Sequence, residues 1–130
     1  SKKDSLGMLR AKEDARDNMI GALGAIRLGK NNSLHKMMLQ NHSIRIDITE
    51  YIDISNYNSI PTETPGDLEL ALQLDVNEAI DKILDILKKR ASMSLTNEDI
   101  IKLNPDIAKD CFSVTGTNAD PLKALNCRFS

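Results

Sequence analysis

The sequence predicts an α+β fold that is mostly helical, because two stretches alternate like strands and the segments around them have helical spacing. Isoleucine recurs at alternate positions over most of residues 44–54, and leucine and valine do so over residues 68–76. Successive side chains of a strand point to opposite faces, so each stretch would have one aliphatic and one polar face. We expect two amphipathic β-strands, at about 44–54 and 68–76, flanked by an N-terminal helix and two to three C-terminal helices.

An all-α fold is the alternative, and it depends on the second stretch. Leucine, alanine, glutamate and glutamine are better helix formers than strand formers. Thr64 and Pro65 would begin a helix correctly, as N-cap and first helical residue. In this alternative, residues 66–91 form one long helix.

Two helices are predicted before the first strand. Over residues 1–30, apolar or small residues recur at steps of three and four, which is helical spacing. The last third of this helix contains glycines, each of which costs roughly 1 kcal/mol relative to alanine. We therefore expect residues 19–28 to be a seam where another helix approaches closely. Ser33 is the expected N-cap of a short second helix that ends at Gln40.

The best-defined helix is predicted at residues 75–91. Asp75 and Glu78 have the form of a capping box, and the cations of residues 88–90 complement the dipole at the other end. Its apolar stripe consists of Val76, Ala79, Ile80, Ile83, Leu84, Leu87 and Ala91. A helix with such a continuous stripe is expected to pack against the core.

Short helices are predicted for the C-terminal third. Thr96 is expected to cap a helix that Asn104-Pro105 ends, and the same pair is expected to start another helix over residues 106–112. Residues 115–120 are expected to form a loop. A last short helix is predicted from Asp120-Pro121 to about Cys127.

The loop between the two predicted strands is the expected contact surface. Residues 55–67 make it about twice the usual length of a hairpin loop, and two prolines stiffen it. Ordered loops on a rigid scaffold often carry binding surfaces. The candidate partner-binding residues are Asn56, Tyr57, Ile60, Pro61 and Pro65.

Self-association is expected from the amount of aliphatic surface. Two strands alone are only marginally stable, and the isoleucine face of residues 44–54 offers more apolar surface than one hairpin and a few helices would cover. A twofold dimer is the simplest solution. The candidate interface residues are Met19, Ala22, Ile26, Ile44, Ile46 and Ile48.

Composition weighs against several classes of protein. The 130 residues suit one domain, residues 1–130, with 1–12 and 115–130 as candidate flexible ends. A net charge of −2 gives no overall attraction to nucleic acid or to an anionic membrane. Aromatic residues make up only 3%, which leaves little surface for stacking on bases. Without a long apolar run or a signal-like N-terminus, we expect no membrane segment and a cytoplasmic location.

Catalytic and metal-binding patterns are not found. His35 and His42 are seven residues apart, and neither they nor Cys111 and Cys127 have the paired spacing of zinc sites. The cysteines are expected to be reduced thiols. Glu50 is the one charged residue on the isoleucine face, but no nucleophile, base and oxyanion set accompanies it. We therefore expect no enzyme, no metal and no cofactor.

These observations together predict a non-enzymatic protein–protein interaction or assembly module. It would act as a homo-oligomer that binds a protein partner, as a chaperone-like protein or accessory subunit of a bacterial or viral system does. The alternative is a nucleic-acid-binding regulatory protein, with contacts from Arg10, Lys12 and Arg16 or from residues 88–90. Phosphate contacts would make binding fall steeply with salt, which separates the two hypotheses.

Overall fold

The fold was obtained as a computed structural model that describes residues 2–119, with side chains from residue 5. This part of the chain contains five helices and two small antiparallel sheets. In chain order the elements are α1 (Lys2–Gly24), β1 (Arg27–Gly29), β2 (Asn32–Ser33), α2 (Leu34–Gln40), α3 (His42–Asp53), β3 (Tyr57–Ile60), β4 (Glu69–Asp75), α4 (Val76–Ala91), α5 (Asn97–Leu103) and β5 (Cys111–Thr117). The predicted α+β, mostly helical fold is confirmed.

The second predicted strand is confirmed as β4, the centre of a three-stranded antiparallel sheet with the order β3-β4-β5. Leu70, Leu72 and Leu74 are buried on its inner face, while the residues between them are half-buried or exposed. The all-α alternative, with residues 66–91 as one helix, is therefore wrong. Pairing on both sides satisfies the backbone of β4, and this outweighs the helix propensity of its side chains.

The first predicted strand is wrong, because residues 44–54 lie almost entirely in helix α3. Ile44, Ile48 and Ile52 are buried at a spacing of four residues. Ile46 and Ile54 are 43% and 82% exposed. A period of two contains a period of four, so alternate isoleucines can also line one side of a helix. Asn41 caps this helix by accepting a hydrogen bond from the Ser43 amide.

The predicted starts of the other helices are largely confirmed. The Ser33 hydroxyl accepts from the Lys36 amide at the start of α2. The Asp75 carboxylate accepts from the Glu78 amide at the start of α4. Thr96 and Asp99 form a reciprocal capping box at the start of α5. The N-terminal helix, however, ends at Gly24, within the predicted range of residues 1–30.

The helix predicted for residues 106–112 is wrong. The loop predicted for residues 115–120 is wrong for its first three residues, 115–117. Both regions contribute to strand β5. The reason lies in Asn104, whose amide is bonded to the backbone of Arg27 and of Ile100 and is therefore not free to cap a new helix. The predicted last helix, Cys127 included, lies outside the described residues.

Helix α1 packs across the inner face of the sheet and closes most tightly over β5. A β-carbon at Gly116 would overlap the backbone of Ala11 and Ala15 and would lie 2.6 Å from the Cα atom of Ala15. Only glycine therefore permits this approach. The expected small-residue seam is partly within the chain, because Gly24 faces the side chains of His35 and Met38 on α2.

Most of the expected oligomer interface is part of the chain's own core. Met19, Ile26, Ile44 and Ile48 are at most 4% exposed. Ile44 and Ile48 are expected at a surface because a strand over residues 44–54 would leave an aliphatic face uncovered; helix α3 buries them instead. Met19 and Ile26 come from the predicted seam of residues 19–28, and the core of the chain covers both. Of the six residues, only Ala22 and Ile46 are exposed. None of the helices within residues 2–119 is long and apolar enough to cross a membrane.

Replacing Gly116 with alanine should strongly destabilise the protein, because the added carbon meets helix backbone that cannot rotate away. We expect the free energy of unfolding to fall by about 3 kcal/mol in chemical denaturation. Gly21→Ala is the matched control, since a β-carbon there meets no atom within 4 Å and the site is helical. It should stabilise the protein by about 1 kcal/mol. Equal effects of the two substitutions would contradict the close packing of α1 on β5.

Candidate functional site

The two edges of the three-stranded sheet differ in what pairs with their backbone groups. At the β5 edge, the Asn18 amide donates to the Thr115 carbonyl at 2.8 Å, and the Thr117 amide donates to the Asp14 carboxylate at 2.9 Å. Both partners are side chains of α1, so this helix occupies the place where another strand would pair. The Thr115–Thr117 end of the β5 edge is thereby protected against further strand addition.

The β3 edge is open. In an antiparallel ladder, alternate residues direct both backbone groups to the same neighbour. The Val76 amide donates to the Asp110 carbonyl, and the Asn118 amide donates to the Leu68 carbonyl. The backbone N–H and C=O groups of even-numbered residues in β4 therefore point toward β5. The backbone groups of odd-numbered residues in β4 then point toward β3, where Glu69 pairs with Ile60 and Ala71 pairs with Asn58.

The backbone groups of Tyr57 and Ser59 consequently point away from β4. No other strand within residues 2–119 pairs with β3 on that side. These two residues present two amide donors and two carbonyl acceptors at the edge, in the pattern that an incoming extended chain would match.

The side chain of Tyr57 fixes β3 in place from the inner face. Its hydroxyl donates to the Ile52 carbonyl at 3.1 Å, and the Lys12 ammonium lies 5.0 Å from the centre of its ring. Burial, with a further contribution from the negative charge of Asp53, raises the pKa of Tyr57 to about 12. The strand is therefore anchored through its side chain while its backbone edge is open.

The loop that follows β3 is ordered by its own hydrogen bonds. The Thr62 hydroxyl is bonded to the carbonyl oxygens of Thr64 and Asp67, and Gly66 adopts a positive φ of 86°. Asn118 fixes the end of the loop by donating to the Gly66 carbonyl and accepting from the Leu68 amide. The loop is thus held to the sheet while residues 61–66 are exposed.

The five candidate partner-binding residues lie together at the β3 edge and its loop. Asn56 precedes the strand, Tyr57 and Ile60 are its first and last residues, and Pro61 and Pro65 are exposed in the loop. The connection expected at residues 55–67 is shorter than predicted, because four of its residues form β3. Strand β5 was not predicted from the sequence, and neither was the contact of α1 with its edge. The signal was present in the alternation of Phe112, Val114 and Gly116 with polar residues.

Two of the cations named for nucleic-acid binding, Arg16 and Arg90, lie close to carboxylates. Arg90 makes two bonds to the Asp47 carboxylate, at 2.7 and 3.3 Å, and lowers the pKa of that group. Arg16 lies 3.3 Å from Asp17 and 3.8 Å from Asp53. A cation already paired with a carboxylate gives less attraction to phosphate, so these contacts do not favour a nucleic-acid surface.

Residues considered for metal binding or catalysis are dispersed. His35, His42, Glu50 and Cys111 are all exposed, and only His42 and Glu50 share an element, α3, where they are eight residues apart. Among residues 2–119, no three His, Cys, Asp or Glu side chains lie close enough together to hold a metal ion.

The anchoring of Tyr57 predicts a loss of stability at alkaline pH. A raised pKa in the folded state means that the contribution of Tyr57 is complete below pH 10.0 and is lost as pH rises toward about 12. In urea titrations, Tyr57→Phe should therefore lose less stability than the wild type across this window. Tyr51→Phe is the comparison, because burial also raises the pKa of Tyr51. Parallel curves for the wild type and Tyr57→Phe would contradict the assignment.

The chain shows no significant match to any known family model, to any curated protein or to any solved structure.

Proposed function

We propose that the protein is a non-enzymatic interaction module that binds an extended segment of a partner protein along the open β3 edge. The observation that carries the proposal is the contrast between the two edges of one sheet. Helix α1 supplies side-chain partners to the β5 edge, whereas the β3 edge has none within residues 2–119. Strand addition to an exposed edge is an established mode of peptide recognition.

The composition of β3 supports this proposal. Edges that must stay unpaired are usually very short or carry lysine, proline, an inward-pointing charge or a bulge. Tyr57–Ile60 contains no charged residue and pairs with β4 in regular register. Pro61 follows at once and has no amide hydrogen, so it limits the paired region to a few residues.

The partner segment can be described by its chemistry. Its backbone would exchange hydrogen bonds with Tyr57 and Ser59, which requires about three extended residues. On the outer face it would lie beside Asn58 and the half-buried Ile60, so uncharged polar or aliphatic side chains fit there. The exposed loop, residues 61–66, would provide a second contact.

An interface of this size suits a transient partner. A four-residue strand and a short loop bury less area than a standard protein–protein interface, so modest affinity is expected. This fits the role of an assembly factor, a chaperone-like protein or an accessory subunit. The carboxylates beside Arg16 and Arg90 reduce the attraction of these two cations for phosphate, which favours the protein-binding proposal over the nucleic-acid alternative.

Two proline substitutions test strand addition. Ser59→Pro removes an outward amide and should leave the melting temperature within a few degrees of wild type. It should abolish capture of a partner by the tagged chain in lysate of its own organism, measured by quantitative mass spectrometry. Asn58→Pro removes an amide that bonds to β4 and should destabilise the fold. Ser59→Ala is the control and should retain the partner.

The proposal fails if no captured protein is lost with Ser59→Pro, or if Ser59→Ala loses the same protein. For a protein that passes this test, hydrogen exchange should show slowed amides at Tyr57 and Ser59 when the purified partner is added. Unchanged exchange at both amides would place the contact elsewhere.

The loop contact is tested by replacing Ile60 with glycine and Pro61 with serine together. Because the loop is held mainly by Thr62 and Asn118, we expect the melting temperature to stay within a few degrees. Capture of the same partner should weaken, since an aliphatic anchor beside a rigid proline is removed. Melting of the variant would show that Ile60 is needed for folding, and unchanged capture would exclude the loop as a contact.

A further inference from the structure

The inner face of the sheet is incompletely covered at Ser59. Ser59 is paired with Leu70, and Leu70 is paired with Gly116, so these three residues form one row across the sheet. Leu70 is 3% exposed and Gly116 is buried beneath α1, whereas Ser59 is exposed although it lies on the same face. The row therefore ends at the open β3 edge with a small, exposed side chain.

The first part of α1 runs alongside β3 on this face. A β-carbon at Gly7 would lie 3.2 Å from the Cδ1 atom of Leu68, and the residue after Leu68 is paired with Ile60, the last residue of β3. Five residues further along α1, the Lys12 ammonium lies 5.0 Å from the centre of the ring of Tyr57, the first residue of β3. This stretch of α1 therefore extends from the end of β3 to its beginning.

Met8 is the apolar side chain that α1 directs toward β3. It follows Gly7 directly and lies one turn before Lys12, so its side chain and that of the lysine are neighbours on one side of the helix. One helical turn and two strand residues both span about 6 Å. Since the lysine lies at Tyr57, Met8 is near the level of Ser59. The Met8 side chain is 40% exposed, so an apolar surface borders the uncovered end of the inner row.

A segment added to the β3 edge would place a side chain at this position. Paired residues of neighbouring strands direct their side chains to the same face of a sheet. The segment residue opposite Ser59 would therefore extend the inner row, on the side of the sheet where Met8 lies. A large aliphatic side chain there would bury the exposed surface of Met8, which is favourable. A charged side chain would lose water without gaining a polar partner from Met8.

The segment residue opposite Tyr57 would meet charges of both signs. Lys12 and Arg16 of α1 are the cations that act on Tyr57. Arg16 lies 3.8 Å from Asp53 and 3.3 Å from Asp17. Two positive and two negative groups are thus present at this end of β3, so charge does not select the residue bound there. Selectivity on the inner face therefore depends on the apolar contact one position along.

We infer that Met8 determines which segments bind the β3 edge, and that the bound segment carries a large aliphatic residue opposite Ser59. The inference rests on the proposed strand addition and adds a side-chain requirement to it. The segment is thereby described on both faces of the sheet. It has an aliphatic side chain on the inner face and uncharged polar or aliphatic side chains beside Asn58 and Ile60 on the outer face.

Phage display of random heptapeptides on the immobilised chain tests the inference. Peptides enriched by the wild type should share one large aliphatic position, and Ser59→Pro should enrich none of them. The most enriched peptide, synthesised with a fluorescent label, then gives a Kd from fluorescence anisotropy. Met8→Lys should weaken its binding at least about tenfold, since an ammonium replaces the apolar contact. Exchanging the shared aliphatic residue of the peptide for glutamate should restore most of the binding to Met8→Lys.

Leu6→Lys is the matched control. Leu6 is 56% exposed on the same helix, but it is two residues from Met8 and therefore points to the other side of α1. This variant should bind the labelled peptide like the wild type, and so should Met8→Leu. Because both positions are exposed, the melting temperature of every variant should stay within a few degrees of the wild type.

The outcomes separate the inference from the proposed function. Equal effects of Met8→Lys and Leu6→Lys overturn the inference, and so do enriched peptides without a shared aliphatic position. A glutamate peptide that binds Met8→Lys no better than the original peptide also overturns it. In these cases strand addition still stands, provided that Ser59→Pro abolishes peptide binding. If the wild type enriches no peptide over Ser59→Pro, strand addition itself fails, and the inference fails with it.

Discussion

The packing of α1 against β5 at Gly116 is the contact on which the rest of the structure depends. Because position 116 has no side chain, the helix backbone at Ala11 and Ala15 approaches the strand closely. At this distance the next turn of α1 brings Asp14 and Asn18 to the outer backbone of β5. One glycine thus both seals the core and determines which edge of the sheet is protected.

Protection by a helix differs from protection by another strand. The carboxylate of Asp14 and the amide of Asn18 take the places of a carbonyl and an amide hydrogen in a ladder. Side-chain groups can satisfy an edge in this way without continuing the sheet, so α1 blocks strand addition at Thr115–Thr117. At the other side of the sheet, the backbone groups of Tyr57 and Ser59 point away from β4, where no further strand of residues 2–119 pairs with them.

The sequence predicts some elements well for physical reasons. Caps such as Ser33, Asp75 and Thr96 act through neighbouring backbone groups, so they could be identified from local sequence alone. The isoleucines of α3 could not, because alternate spacing fits both a strand face and a helix stripe, and only the packing around Ile48 decides between them. The amide of Asn104 suits both the end and the start of a helix, and its bonds to Arg27 select the former.

The candidate site was predictable in part for the same reason. Two prolines and a turn signal locate the loop within a few residues. The open edge of β3 depends on β5, which is far away in the chain, and on the contact of α1 with it. Such features arise from contacts distant in sequence, which local patterns do not encode.

The pairing of α1 with β5 also has a consequence for how the chain folds. These elements are separated by α2, α3, β3, β4, α4 and α5, so their contacts have among the largest sequence separations in the described chain. Contacts of this kind close long loops and form late. During synthesis, the apolar side of α1 at Ala11, Ala15 and Met19 leaves the ribosome well before residues 111–117. The part of α1 that packs on β5 therefore lacks its partner until late in translation, and apolar surface exposed in this way favours aggregation.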